Sequence, residues 1–198
     1  FLWIVIFYRI IQNGTMTTEL PKHGVTGLAL KQEDVDLFMD YIIDKEPQQA
    51  KVFTGGSEKV EKDTRDAEIY PIEYNAKRLY AILSKIAKTV NQYFGYDIDG
   101  IEKAQVIRYK SPSRGYEYHI DIGPEGTPAT RKISMSLLLN ERYEGGEICF
   151  RTGESASCTK PKVGEVVAFS SFLPHKVKPI TKGERYVLVA WFTGPPFR

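Results

Sequence analysis

The sequence predicts an α+β domain, mainly β, with helices of the first half supporting an antiparallel β core built by the second half. Two observations predict it. Before residue 100, apolar residues recur twice at helical spacing; after Ile101, short β-branched and aromatic runs alternate with turn clusters. The size fits a single domain spanning 1–198, since 198 residues with 42% hydrophobic and 26% charged content bury a full core. Residues 1–100 would be helical support, and 101–198 the β core.

Phe1–Ile11 is apolar apart from Arg9, too short for a membrane-spanning helix and without the basic lead or small-residue cleavage site of a signal peptide. Either Met16 marks a start and Phe1–Thr15 is vector-derived or upstream sequence, or Leu2–Tyr8 is a core or edge strand. The first helix is expected over Gln32–Lys45, where Val35, Phe38, Met39, Ile42 and Ile43 form one apolar stripe. The second is expected over Ala76–Phe94, with Leu79, Ile82, Leu83, Ile86, Val90 and Tyr93 on one face and Gly95 placed to end it. Between them 47–71 is polar and charged, which predicts a long loop or mobile hairpin, and a lid if the site needs one.

The strands are expected at Ala104–Tyr109, Tyr116–Ile120, Lys132–Leu139, Glu147–Arg151, Glu165–Phe169, His175–Ile180 and Arg185–Phe192. Turn clusters such as Ser111-Pro112-Ser113, Gly145-Gly146 and Lys182-Gly183 separate them. Many short strands at this spacing form a sandwich or barrel. Cys149 and Cys158 have neither a disulfide-framework pattern nor metal-ligand spacing, and are expected as two reduced thiols. A formal net charge of +2 argues against nucleic acid or an anionic membrane as the main partner.

The chemistry concentrates in the β-rich half. His119 and Asp121 stand two apart at a strand end, so both side chains point to one face and reach a common ion. His175 lies on a later strand and would complete a two-histidine, one-carboxylate facial triad, the donor set of non-haem Fe(II) oxygenases. A lone His-x-Asp is common by chance; the ordered His175 and Arg185 after it add weight. Arg185 enters an apolar strand, which is costly for a cation unless it meets an anion. A dicarboxylate bound at the metal would provide one, through a bidentate contact.

Tyr109, Tyr116, His119-x-Asp121, Glu144-Gly145-Gly146-Glu147, Gly164–Phe169, Pro174-His175 and Lys182–Arg185 together resemble the prolyl 4-hydroxylase-like branch of the 2-oxoglutarate/Fe(II)-dependent dioxygenase superfamily, bacterial or phage type. The resemblance covers 104–192. It implies a double-stranded β-helix (jelly-roll) core and iron held by His119, Asp121 and His175. It further implies Arg185 on the distal carboxylate of 2-oxoglutarate, Tyr109 in the cosubstrate pocket and Trp191 along its wall. O2 would be the oxidant, ascorbate a reductant, and a proline in a peptide or protein the substrate. A cosubstrate tyrosine of some relatives falls on Leu138, so Ser134 or Ser136, on the same strand face, are the alternative hydroxyls. Arg131 and Tyr116 match substrate-facing positions, although Arg131 also reads as an exposed basic residue beside Lys132.

A free amino acid or other small molecule is the second substrate reading. Nucleic-acid demethylation ranks third, because no further arginine follows Arg185 before Arg198. A metal-free or cupin-like binding module is the competing class, since the barrel alone does not fix function. The chain is expected to act as a monomer in the cytoplasm of a bacterial or phage-infected cell, away from membranes.

Overall fold

The computed structural model describes residues 4–5, 26–54 and 57–197. A first strand pair, β1 (Ile4–Val5) and β2 (Thr26–Ala29), precedes helix α1 (Gln32–Ile42). Then come β3 (Gln48–Gln49), β4 (Val52–Thr54), β5 (Ser57–Lys59), β6 (Arg65–Asp66) and β7 (Glu68–Pro71), followed by helix α2 (Lys77–Phe94). After α2 the chain is almost wholly β: β8 (Gly100–Ile101), β9 (Gln105–Lys110), β10 (Gly115–His119), β11 (Arg131–Leu138) and β12 (Tyr143–Gly145). It ends with β13 (Ile148–Thr152), β14 (Ser155–Thr159), β15 (Glu165–Ser170), β16 (His175–Val177) and β17 (Ile180–Thr193).

Both helices form where the apolar stripes place them. In α1, Val35, Phe38 and Ile42 are buried, and Glu33 and Asp34 in the first turn complement the helix dipole. The stripe ends one residue early: the helix stops at Ile42, and Ile43 is 76% exposed. In α2 the buried face is Leu79, Ile82, Leu83, Ile86, Ala87, Val90 and Phe94. Gly95 closes it in the left-handed conformation (φ 65°), with its N–H donating to the Asn91 carbonyl at 2.7 Å.

A ten-stranded antiparallel sheet runs β1-β2-β15-β11-β17-β9-β7-β3, with β12 and β8 also on β17; a five-stranded sheet runs β14-β13-β16-β10-β6. Period-two alternation divides the large sheet's side chains between its faces. Ile133, Met135 and Leu137, with Val166, Ala168, Leu188, Ala190 and Phe192, pack against the two helices in the main core. The intervening Ser134, Ser136, Arg185, Val187, Val189 and Trp191 line a cavity shared with residues of the small sheet. The result is a jelly roll with helices outside one face and the cavity between the sheets.

Three expectations change. The 47–71 segment is not a free loop: β7 pairs with β9 inside the large sheet, β6 pairs with β10 in the small one, and only β4–β5 forms a separate hairpin. Polar composition reads as loop, but short strands at or near a sheet margin with one solvated face carry the same composition. Cys149 and Cys158 are not separate thiols; they stand opposite each other in the β13–β14 ladder and are joined as a disulfide. The strand expected over His175–Ile180 breaks after Val177, and Ile180 instead opens the long β17. Of the N-terminal alternatives, Ile4–Val5 pairs with β2 at the sheet edge; the rest of 1–25, with Met16, lies outside the described residues. Among those described, no helix is long and apolar enough to cross a membrane.

Candidate metal centre and adjoining cavity

His119 ends β10 and His175 begins β16, and the two are direct partners across that antiparallel pair. Their rings lie 4.2 Å apart between centroids. Asp121 follows the end of β10, its N–H fixed to the Ser171 carbonyl at 2.8 Å. Its Oδ1 stands 3.5 Å from Nε2 of His119 and its Oδ2 3.6 Å from Nε2 of His175. One donor atom from each of the three lies within 4.8 Å of the others, the only such grouping of histidine, cysteine and carboxylate donors among the described residues.

Ring orientation favours a metal. Nδ1 of His119 is 2.7 Å from the Glu117 carbonyl, and Nδ1 of His175 is 2.9 Å from the Leu173 carbonyl. A carbonyl only accepts, so each Nδ1 carries a proton and each Nε2 faces Asp121, donating to the carboxylate while protonated and offering its lone pair to a cation that displaces that proton. Backbone carbonyls holding the distal ring nitrogen are the usual support of metal-bound histidines. Burial pushes the Asp121 carboxyl up, but His175, the His119 hydrogen bond and the Ser134 hydroxyl outweigh it and hold the group well below the ordinary carboxylate range. Burial pushes His175 down, against the opposing pull of Asp121. An ionised carboxylate and a neutral imidazole are the states that bind a cation.

His119 and His175 open into a cavity lined among others by Tyr109, Tyr116, Ser134, Ser136, Arg185 and Trp191. Arg185 is 1% exposed, and its Nε, Nη1 and Nη2 all lack a hydrogen-bond partner. Its register partner on β9 is Tyr109, whose ring lies 5.6 Å from the guanidinium carbon. Burial pushes the Tyr109 phenol up, opposed by the charges of Arg65 and Arg185. A buried guanidinium with no anion is an unfavourable state for a folded chain. A carboxylate arriving in the cavity removes that cost, so the distal end of 2-oxoglutarate fits this wall as ferrous iron fits the nitrogen and oxygen donors.

The other expected residues fall in different places. Tyr116 stacks on His119, with ring centroids 3.6 Å apart. Ser134 and Ser136 both line the cavity; Ser134 also bonds the Ser171 hydroxyl at 3.0 Å and touches Asp121. Trp191 is buried in the wall with its indole N–H unpartnered. Arg131 is neither exposed nor among the cavity-lining residues. It donates through Nε and Nη2 to Glu102 at 2.6 and 2.5 Å and through Nη1 to the Asp121 carbonyl at 2.9 Å, and lies 4.0 Å over the Trp191 ring. Glu102 and Arg65 went unnoticed from sequence, because each sits in a short polar stretch with no motif around it.

Residues 104–193 match the model of the 2OG-Fe(II) oxygenase superfamily. Among curated relatives, a PKHD-type hydroxylase of Alteromonas mediterranea is 34% identical over 118 residues, 56% of this chain and 52% of that protein. Human prolyl 3-hydroxylase 2 is 41% identical over 71 residues, 33% of this chain and 10% of that protein. The matched stretch thus spans about half of the first relative and a tenth of the second. Among solved structures, a Pseudomonas putida prolyl-4-hydroxylase superposes with a TM-score of 0.68 at 21% identity, covering 87% of this chain and 94% of that one. Over residues 104–193, therefore, this chain is similar to the 2OG-Fe(II) oxygenase superfamily, and its relatives and structural neighbours are of prolyl hydroxylase type.

Proposed function

We propose that the chain is an Fe(II)- and 2-oxoglutarate-dependent hydroxylase, with His119, Asp121 and His175 as iron ligands and a prolyl residue of a peptide or protein as its substrate. The observation that carries this reading is a buried guanidinium without an anion, Arg185, in the same cavity as the three-donor cluster. In the overall reaction 2-oxoglutarate, O2 and a C–H bond become succinate, CO2 and C–OH, one oxygen atom entering succinate and the other the substrate. Bound ferrous iron supplies the activation of oxygen.

The protein's own part is positional. Arg185 fixes the far carboxylate and so sets the orientation of the keto acid, while Ile107, Val187, Val189 and Phe169 keep the cavity wall apolar and poor in water. Tyr116, stacked on His119, would form a wall for a proline ring. Substrate identity and 4-hydroxylation rest on the prolyl hydroxylase relatives, one of them a 3-hydroxylase, so the position of attack must be read from the product.

The test begins without air. Fe(II) and 2-oxoglutarate together should give a visible charge-transfer band that His175→Ala abolishes; no band would favour a non-catalytic binding module. With air, and ascorbate keeping iron ferrous, proline-containing peptides should gain one oxygen each with stoichiometric succinate. Turnover of a non-prolyl small molecule alone would transfer the reading to that substrate class.

A further inference from the structure

Four arginines among the described residues are not exposed: Arg65, Arg108, Arg131 and Arg185. Two have carboxylate partners, Arg108 with Glu68 and Arg131 with Glu102. The other two have none within ion-pair distance among the described residues, and both line the same cavity. On the reading above, Arg185 is accounted for by the distal carboxylate of 2-oxoglutarate, whose other end goes to the metal. Arg65 is left over.

Its position is built rather than incidental. Arg65 lies on β6, which pairs with β10 so that Arg65 stands opposite Tyr116. Its backbone N–H is tied to the Glu61 carbonyl at 2.8 Å, and its guanidinium carbon lies 4.9 Å from the centre of the Tyr116 ring. Nη1 makes one long bond, 3.3 Å, to the Lys51 carbonyl, and the guanidinium reaches the Tyr109 phenol, while Nε is buried without a partner and no described carboxylate pairs with the charge. The nearby acids are engaged elsewhere: Asp63 pairs with Arg114, Asp66 accepts from the Arg114 N–H, and Glu61 accepts from Thr64. Two cations therefore face this cavity, and the only acid of its metal cluster is Asp121.

We propose that Arg65 receives a carboxylate of the prime substrate, so that the enzyme selects a target whose reacting carbon lies beside a free acid group. This deepens, and rests on, the hydroxylase reading. A guanidinium beside an aromatic wall suits a planar carboxylate, which it binds through a two-point fork while the ring covers the adjoining apolar carbons. The acid has two sources, the C-terminal carboxylate of a free amino acid or short peptide, or an aspartate or glutamate side chain next to a proline.

The experiment uses the full chain loaded with Mn(II) and 2-oxoglutarate, which does not turn over. Binding is titrated for paired probes: glycyl-proline against glycyl-prolinamide, and acetyl-Glu-Pro-amide against acetyl-Gln-Pro-amide. At least one acid should bind about tenfold or more tightly than its neutral partner. Whichever pair shows the preference identifies the source. Arg65→Gln should collapse that preference to near unity, and Arg65→Lys should keep part of it. Equal binding within both pairs, no binding of either acid, or a preference that survives in Arg65→Gln overturns the proposal. The acid-to-neutral ratio in the wild type stands even if the variants fold poorly. Failure of 2-oxoglutarate itself to bind sinks the hydroxylase reading instead, and is seen before any probe is added.

Discussion

At the scale of single residues, the centre is organised by which groups have partners and which lack them. His119 and His175 are each committed at Nδ1 to a carbonyl two residues earlier, so their free nitrogens converge on Asp121. Arg185 is the opposite case, buried with all three guanidinium nitrogens unpaired. Removing that charge has opposite effects on fold and ligand. Arg185→Gln should raise the thermal stability of the ligand-free protein, because an uncompensated buried cation is lost. The same change should weaken 2-oxoglutarate by about 2–5 kcal/mol, roughly 30-fold or more. Calorimetry with and without the ligand reads both; lower stability together with unchanged affinity would refute the assignment. The three donors and Arg185 were visible in the sequence because each sits in a short motif on a strand. Arg65 was not, since nothing local distinguishes it from the other charges of its segment.

Elements decide how closely these side chains are held. Gly146, in the turn between β12 and β13, has φ +68°, and a Cβ there would stand 2.8 Å from Cδ of Arg185 and 3.2 Å from Tyr143. Gly146→Ala should therefore cost about 1–2 kcal/mol in backbone strain and displace the Arg185 stem, weakening 2-oxoglutarate several-fold without touching a ligand-binding group. Wild-type affinity in that variant would mean Arg185 does not hold the cosubstrate. The Glu102–Arg131 pair links the loop before β9 to the start of β11 and props the carbonyl of Asp121. Glu102→Gln leaves a half-buried guanidinium without its acid. We expect a loss of about 1–3 kcal/mol in urea unfolding and a severalfold weaker Mn(II) affinity, because Asp121 loses its brace. The helices and most central strands were legible because their periodicity is strong. The short strands β3, β6 and β7 were not, because pairing partners rather than local pattern define a two- to four-residue strand.

For the whole molecule, the cavity exists because two sheets face each other and each offers every second residue to the gap. At the far edge of the small sheet, β14 is exposed throughout and is fastened to β13 by the ladder and by Cys149–Cys158. Reductant, or Cys158→Ser, should lower stability by about 1–3 kcal/mol while leaving the metal cluster on β10 and β16 able to bind Mn(II). Unchanged melting in reductant would mean the bond adds nothing to the fold. The amino-acid sequence by itself determined the fold class, the helix faces, the turn glycines and the His-x-Asp spacing, because each depends on neighbours a few residues apart. Only the tertiary structure decided that His175 faces His119, that Cys149 meets Cys158, that Arg131 is taken up by Glu102, and that a second arginine without a carboxylate partner shares the cavity. Those pairings join stretches distant along the chain, and the register of one strand against another, which no local pattern encodes, brings them together.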